Sequence, residues 1–183
     1  MFLLLQSFRT AWVDSFPGTT PTTYSSGYGE RQTPSASSDG GVYILNSLFN
    51  RFTSTSDGGA LYCSTSVTYL LIESTSFFSC KTSTQYGGAI YFSNTNNGQS
   101  VLYGVCCNDC CSTYTTSYSQ GQFAYIQVRN NVLNKNYFNY SSISRCVNEN
   151  SNSWYTFYHW HGTICCPSVN SSMNKCQCHS GIS

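Results

Sequence analysis

The feature that most constrains the fold is a unit that occurs twice between Asp57 and Asn94. The segment reads DGGALYCSTSVTYLLIESTSFFSCKTSTQYGGAIYFSN, with a Gly-Gly-Ala-aliphatic-Tyr motif on either side of Phe-Phe-Ser-Cys. A unit of about 30 residues is too short to bury its own core, and its recurrence is typical of stacked, solenoid-like architectures. The rest of the chain should then carry the same motifs at similar spacing.

The most regular motif is an apolar residue or cysteine followed three positions later by Phe or Cys. It occurs as Phe49/Phe52, Phe77/Cys80, Cys107/Cys110, Ile143/Cys146 and Met173/Cys176, with second members 28, 30, 36 and 30 residues apart. This spacing predicts a structural ladder in which Phe52, Cys80, Cys110, Cys146 and Cys176 stack at equivalent corners as small apolar side chains.

Glycines precede the strand-like runs and permit a sharp bend or a positive φ where the chain turns a corner. The predicted strand-opening glycines are Gly40, Gly41, Gly58, Gly59, Gly87, Gly88 and Gly121, and single glycines at Gly162 and Gly181 continue the series. A second apolar run follows each of them, clearly at 69–72 and 101–103 and less clearly at 132–133 and 163–165. Each unit therefore carries at least two short strands.

These patterns predict an all-β fold in which residues 39–183 form a parallel β-helix of about four to five coils. Residues 1–38 contain three of the four prolines amid Ser, Thr and Gly, and we expect an irregular, low-complexity lead-in there. The chain stops where the next glycine strand would begin, so we expect the helix to be truncated at its C-terminal end. The alternative is an antiparallel sandwich of short strands, which does not require a period of about 30 residues.

Charged residues make up only 8% of the 183 residues, and the formal net charge is +1. Nucleic-acid binding is not expected, because no basic patch or run of like charges is present. No apolar run approaches the roughly 18 residues needed to span a bilayer, so no membrane span is expected. The first twelve residues lack a basic segment and make a poor signal peptide.

Eleven cysteines indicate either an oxidising compartment or metal thiolates. Stacked rungs about 4.8 Å apart fall inside the Cα separation that a disulfide allows, so we expect at least one bridge between rungs if the protein is exported. Two glycosylation candidates, Asn139 and Asn170, also fit an extracellular or cell-surface location.

The GGALYC and GGAIYF segments, paired with FFSC, resemble the repeats of polymorphic outer-membrane proteins. Those repeats alternate a GGA[ILV] strand with an FxxN turn and form right-handed parallel β-helices. The chain is also similar to right-handed β-helix surface proteins of trichomonad protists, in which Cys replaces the Asn. The resemblance covers residues 40–181 and implies a fold rather than an activity, and its Gly-Gly signature decays to Gly121-Gln122.

Metal binding is the first chemistry that the cysteines suggest. The candidates are Cys107, Cys110, Cys176, Cys178 and His179, but zinc takes four ligands, commonly as spaced pairs, and a second well-spaced pair is missing. We therefore expect no metal and no cofactor. His159 and His161 would share a strand face, as a solvated or turn-packed pair.

Enzymatic activity is not expected either. Polysaccharide-cleaving β-helices use clustered carboxylates, whereas no two of the seven acidic residues here lie within eight positions of each other. The sequence favours a non-enzymatic surface or secreted protein that binds an unidentified partner, such as a glycan or a host or cell-surface protein. Aromatic residues including Tyr125, Tyr155, Tyr158 and Trp160 would offer a sugar-stacking strip if they lie outside. The alternatives are a polysaccharide lyase or hydrolase and a structural spacer.

Overall fold

In the computed structural model the chain is almost entirely β-structure, described over residues 12–115, 118–146, 153–176 and 179–182. The elements are α1 (Trp12–Ser15), β1 (Pro21–Gly27), β2 (Gly41–Asn50), β3 (Thr53–Ser54), β4 (Leu61–Cys63), β5 (Tyr69–Glu73), β6 (Ser76–Phe78), β7 (Lys81–Thr82), β8 (Ile90–Ser93), β9 (Gln99–Tyr103), β10 (Cys106–Asn108), β11 (Cys111–Ser112), β12 (Ala124–Gln127), β13 (Lys135–Asn139), β14 (Ser142–Ser144), β15 (Tyr155–Trp160), β16 (Thr163–Cys165), β17 (Asn170–Ser172) and β18 (His179–Ile182). The predicted all-β class is confirmed. Within these ranges no helix is long and apolar enough to cross a bilayer.

Every strand pairing within the described ranges is parallel, which excludes the antiparallel sandwich. The strands form four ladders. The first contains β1, the first half of β2, β5, β9, β13 and β16; the second contains the end of β2, β6, β10, β14 and β17; the third contains β3, β7 and β11; the fourth contains β4, β8, β12, β15 and β18. Because β2 runs through the first two ladders, they form one continuous sheet.

The register of the second ladder fixes the length of each unit. Phe49, Phe77, Cys107, Ile143 and Ser171 are successive partners, so the steps are 28, 30, 36 and 28 residues. The first three steps agree with the motif spacing and the last is two residues shorter. The structure therefore differs from the predicted ladder at its last member: Asn174 takes the position three residues after Ser171, and Cys176 lies two residues beyond it.

The core lies between the ladders and is built from alternate residues of each strand, as the twofold periodicity of a strand requires. In the fourth ladder Leu61 and Cys63 are fully buried, whereas Tyr62 between them is only half-buried. Like side chains stack along the ladders, and the rings of Phe49 and Phe77 lie 4.8 Å apart at an interplanar angle of 3°. Parallel in-register pairing thus stacks apolar side chains directly on their equivalents.

Left-handed backbone corners recur at two positions of each unit. Between the first and second ladders they fall on Asn46, Ser74, Gly104, Tyr140 and Ser168, and after the second ladder on Arg51, Ser79, Asp109, Arg145 and Met173, all with φ between 47° and 62°. Asn, Asp and Gly favour this conformation, whereas Tyr and Met do not. The stacked rungs therefore impose the corner wherever the local sequence does not.

The Gly-Gly pairs before the fourth ladder have separate roles. Gly58 and Gly87 have φ of 69° and 62°, and a Cβ on Gly88 would lie 2.0 Å from the carbonyl oxygen of Gln122. The first glycine thus supplies the left-handed turn and the second allows neighbouring backbones to approach. Gly121 keeps the turn at φ 71°.

The remaining predicted glycines belong to a different corner. Gly40 and Gly162 precede strands of the first ladder, β2 and β16, whereas Gly58, Gly87 and Gly121 precede the fourth. The glycine series in the sequence therefore combines two corners. For this reason its spacing is less regular than that of the Cys series.

The segment predicted as an irregular lead-in contains a paired strand. β1 lies parallel to β2, with Pro21 opposite Gly41. Proline is compatible with the first residue of an edge strand, where its missing N–H is not needed. Trp12 and Phe16, in and just after α1, pack with Leu71 and Val101 on the outer side of the first ladder.

Replacing Gly88 tests the close approach between rungs. We expect Gly88→Ala to lower the free energy of unfolding by about 3 kcal/mol or more, because its methyl group would overlap backbone atoms that cannot move independently. Chemical denaturation measures the loss. In the control Gly29→Ala the added Cβ meets nothing within 4 Å, so equal stabilities of the two variants would contradict the proposed close approach.

Candidate functional site

Tyr62, Tyr91, Tyr125 and Tyr158 form a stack along the outer side of the fourth ladder, here called the tyrosine stack. Successive rings lie 5.3, 5.5 and 4.9 Å apart at interplanar angles of 5°, 9° and 20°. Burial, and then the neighbouring tyrosines, raise the pKa of Tyr125. The Tyr125 phenol is therefore neutral at physiological pH.

The expected sugar-stacking strip is interrupted, because one of its four residues is buried. Tyr125 is only 7% exposed and packs against Tyr86 as well as its stacking partners. Trp160 is 44% exposed, but its ring is stacked on His161 at 4.5 Å. A sugar ring stacks on an open aromatic face, which Tyr125 does not offer. The tyrosine stack therefore stabilises the ladder.

A cleft of about 500 Å³ opens beside the first tyrosine of the stack. It is lined by Arg31, Thr33, Thr55, Ser56, Asp57, Tyr62, Ser64 and Thr84, and is here called the Arg31 cleft. Thr55 also lines a neighbouring groove of about 280 Å³ with Lys81 and Ser83, on the third ladder. The polar surface thus continues from one rung to the next.

Arg31 is held rigidly in this cleft. Its Nε donates to the carbonyl of Gly58 at 2.8 Å and one Nη donates to the carbonyl of Asp57 at 2.6 Å. The guanidinium lies 5.2 Å from the ring centroid of Tyr62, within cation–π range. Burial lowers the pKa of Arg31, whereas the nearby Tyr62 and Asp57 raise it. The guanidinium nevertheless remains charged, as guanidinium groups do in proteins. These bonds use two of its five N–H donors.

The lining of the cleft carries both hydrogen-bond donors and hydrogen-bond acceptors. Asp57 accepts a hydrogen bond from the backbone N–H of Tyr86 at 3.3 Å, which orients its carboxylate. Among the described residues Asp57 is the only carboxylate of the lining. A fixed guanidinium, a carboxylate and several hydroxyls can bind a polyhydroxylated ligand through paired hydrogen bonds.

Sequence reasoning missed Arg31, which lies in the predicted lead-in and outside every repeat motif. A parallel bridge between Gln32 and Leu61 places Arg31 beside β4, the first strand of the fourth ladder. Tyr62 and Asp57 lie inside the repeat segment, but nothing in their spacing indicates a cleft. No local sequence signal identifies this site.

The structural ladder has a hydrogen-bonding role in addition to the predicted packing. Cys80 and Cys110 donate through Sγ to the carbonyls of Phe49 and Phe77 on the preceding rung, each at 3.6 Å. Asn174 donates to the equivalent carbonyl, that of Ile143, at 3.1 Å.

The same side chains also accept hydrogen bonds from the preceding rung. The backbone N–H of Cys80 donates to Cys110 Sγ at 3.4 Å, and the N–H of Cys146 donates to Asn174 Oδ1 at 2.9 Å. Cysteine and asparagine thus satisfy the same backbone groups. Phe52, the first member of the ladder, packs edge-on against Phe49 instead.

Of the predicted metal candidates, the structure brings together only Cys107 and Cys110 among the described residues, whose side chains contact each other. Cys107 and Cys110 lie in the core, and Cys176 contacts Thr156 Oγ1 at 3.3 Å. Cys178 and the side chain of His179 lie outside the described part of the chain. Across the described ranges there is no group of three or more His, Cys, Asp or Glu side chains suited to a metal ion.

Two cysteines of adjacent rungs are placed for a disulfide. Cys107 Sγ and Cys146 Sγ lie 3.4 Å apart, and both residues are buried. Burial, followed by contacts with Cys110 and Cys146, raises the pKa of Cys107. The thiolate is the reactive form, so the Cys107 thiol reacts slowly in the folded protein and an oxidant must reach the buried pair during folding.

The glycosylation candidates differ in exposure. Asn170 lies on β17, all of which is exposed. Asn139 lies half-buried on β13, and its Oδ1 is buried with no hydrogen-bond partner among the described residues. Asn170 is therefore the more accessible acceptor.

Comparison of the chain with protein-family models, curated proteins and solved structures finds no match in any of the three.

The expected disulfide can be assigned by refolding the chain with glutathione disulfide as oxidant. We expect Cys107 and Cys146 to lose two protons and two electrons as their sulfurs bond, while one glutathione disulfide is reduced to two thiols. Peptide mapping under non-reducing conditions detects the product. Cys63 is fully buried on the fourth ladder and serves as the control that remains a thiol. Recovery of both Cys107 and Cys146 as free thiols would contradict the assignment.

Proposed function

We propose that this chain is a non-enzymatic repeat domain of a secreted or cell-surface protein, and that it binds glycans through the Arg31 cleft. The observation that carries the proposal is the fixed Arg31 guanidinium beside Asp57 and the hydroxyl groups of the cleft. Sugars present adjacent hydroxyls that both donate and accept hydrogen bonds. A cleft that combines a guanidinium, a carboxylate and hydroxyls complements them.

We propose further that the four ladders are the faces of a right-handed parallel β-helix, with each unit of about 30 residues forming one coil. Support comes from the parallel register of successive units. Crossover connections between parallel strands are right-handed in about 98% of cases.

The resemblance to polymorphic outer-membrane protein repeats gains a physical basis from the structural ladder. Cys110 and Asn174 make equivalent hydrogen bonds to the preceding rung. An FxxC turn can therefore take the place of an FxxN turn in a coil of the same kind. We propose membership of that class of repeats on this ground.

An extracellular location is supported by the cysteine content and by surface chemistry. The Cys107–Cys146 pair is placed for oxidation and Asn170 is exposed for glycosylation. Both modifications belong to the secretory route. The low content of charged residues is also consistent with a protein whose solubility depends on Ser, Thr and Asn.

Binding is favoured over cleavage by the composition of the cleft. Most glycoside hydrolases use two carboxylates about 5 to 9.5 Å apart. Among the described residues Asp57 is the only carboxylate of the lining. Asp109 lies in the corner after the second ladder, where it pairs with Lys81 at 3.9 Å, and Glu149 lies outside the described ranges.

A glycan array of uncharged oligosaccharides, followed by calorimetry on the best ligand, tests the proposal. We expect Arg31→Ala to weaken binding at least tenfold, since hydrogen bonds from a charged group contribute about 1.5–3 kcal/mol. Arg31→Lys should also bind weakly because it loses the planar donor array. Arg129→Ala, at an exposed arginine outside the cleft, is the matched control.

Each other outcome contradicts one part of the proposal. Absence of any glycan ligand would favour a structural spacer, and release of new reducing ends from a bound polysaccharide would establish an enzyme. Equal affinity of folded Arg31→Ala and wild type would remove the cleft as the binding site. Circular dichroism before each titration separates loss of binding from loss of fold.

A further inference from the structure

A second constellation lies inside the molecule, away from the Arg31 cleft. His159 on β15, Asn136 on β13 and Cys166 just after β16 meet in the interior, although they span 31 positions of the sequence. His159 Nδ1 lies 2.7 Å from Asn136 Oδ1, and His159 Nε2 lies 3.9 Å from Cys166 Sγ. The expected pairing of His159 with His161 on one strand face does not occur, because β15 ends at Trp160.

The surrounding hydrogen bonds fix which nitrogen of His159 carries the proton. The Asn136 amide nitrogen donates to the backbone carbonyls of His161 at 3.1 Å and Trp160 at 3.4 Å. Its Oδ1 therefore faces the imidazole and also accepts from Ser100 Oγ at 3.2 Å. His159 must donate from Nδ1, which leaves the lone pair of Nε2 directed at the Cys166 thiol.

Burial keeps this imidazole neutral. His159 is 4% exposed and packs against the ring of Phe157, and burial lowers its pKa to about 3. A neutral imidazole whose other N–H is held by a carbonyl oxygen is the usual arrangement of a metal-ligating histidine. Cys166 is half-buried, so the pair is partly accessible from outside.

The distance between the two donor atoms suits a shared metal ion. With metal–sulfur and metal–nitrogen bonds of about 2.3 and 2.0–2.1 Å, a separation of 3.9 Å corresponds to an angle of roughly 125–130° at the metal. No group of three or more suitable ligands exists among the described residues. That angle is close to the roughly 120° of a three-coordinate ion, and a thiolate with an imidazole suits a soft ion such as monovalent copper, with solvent at the half-buried Cys166 as the third ligand.

We propose that Cys166 and His159 form a binding site for a soft, low-coordinate metal ion, with Asn136 as the residue that positions the imidazole. On binding, the Cys166 thiol releases its proton to solvent and its sulfur bonds to the ion, while Nε2 donates its lone pair. No electrons are transferred in this step. The site is independent of the proposed glycan binding.

Silver(I) is the probe, and the readout is ¹⁵N NMR of histidine-labelled, fully reduced protein. In the metal-free protein we expect His159 to show the Nδ1–H tautomer. One equivalent of silver should shift the His159 Nε2 resonance, a signal that silver bound at other thiols does not produce. Cys165→Ser removes the exposed neighbouring thiol and should leave this shift unchanged, whereas Cys166→Ser should abolish it.

An Nε2–H tautomer in the metal-free protein would overturn the proposal. So would an unshifted His159 resonance after silver has bound elsewhere, or a shift that persists in folded Cys166→Ser. If Cys166→Ser does not fold, the proposal is still tested by the wild-type spectra without and with silver and by the Cys165→Ser control. All three spectra report on the His159 nitrogens directly.

Discussion

In-register stacking of successive units is the constraint on which the rest of the structure depends. Each backbone corner lies directly against its equivalent in the next unit, and this contact holds residues such as Tyr140 and Met173 in the left-handed region. The same register aligns Phe49 with Phe77 in the core and Tyr91 with Tyr125 outside. A shift of one residue would exchange the inner and outer faces. Core, corners and surface are therefore set by one pairing pattern.

The cysteine-rich composition follows from this pattern. Cys80 and Cys110 satisfy backbone groups of the neighbouring rung, as Asn174 does in the last described rung. A thiol is a weaker hydrogen-bonding group than an amide but is smaller and more easily buried. High cysteine content here thus has a structural cause, and within the described ranges the contacts of Cys107 with Cys146 and of Cys166 with His159 point to further chemistry.

The repeat motifs predict much of the fold because they report corners that every unit must form. Prediction from the motifs fails where a unit forms the same strand or corner from different residue types. β13 reads KNYFN and lacks an apolar run, so the sequence pattern predicts a strand at the neighbouring pair Val132 and Leu133, which is exposed. The sequence also does not predict the Arg31 cleft or the His159–Cys166 site. Arg31 precedes the first repeat, and the register alone brings together Asn136, His159 and Cys166.

The most direct test of this account is the pattern of NMR contacts across the fourth ladder. In-register parallel strands place the amide protons of each strand near the α-protons of the next, so we expect amide-to-α contacts linking Tyr62 to the strand of Tyr91, and Tyr91 to that of Tyr125. Antiparallel strands would give close α-to-α contacts instead. Strong α-to-α contacts between these strands, or the absence of any contact between residues about 30 positions apart, would contradict the stacked-unit architecture.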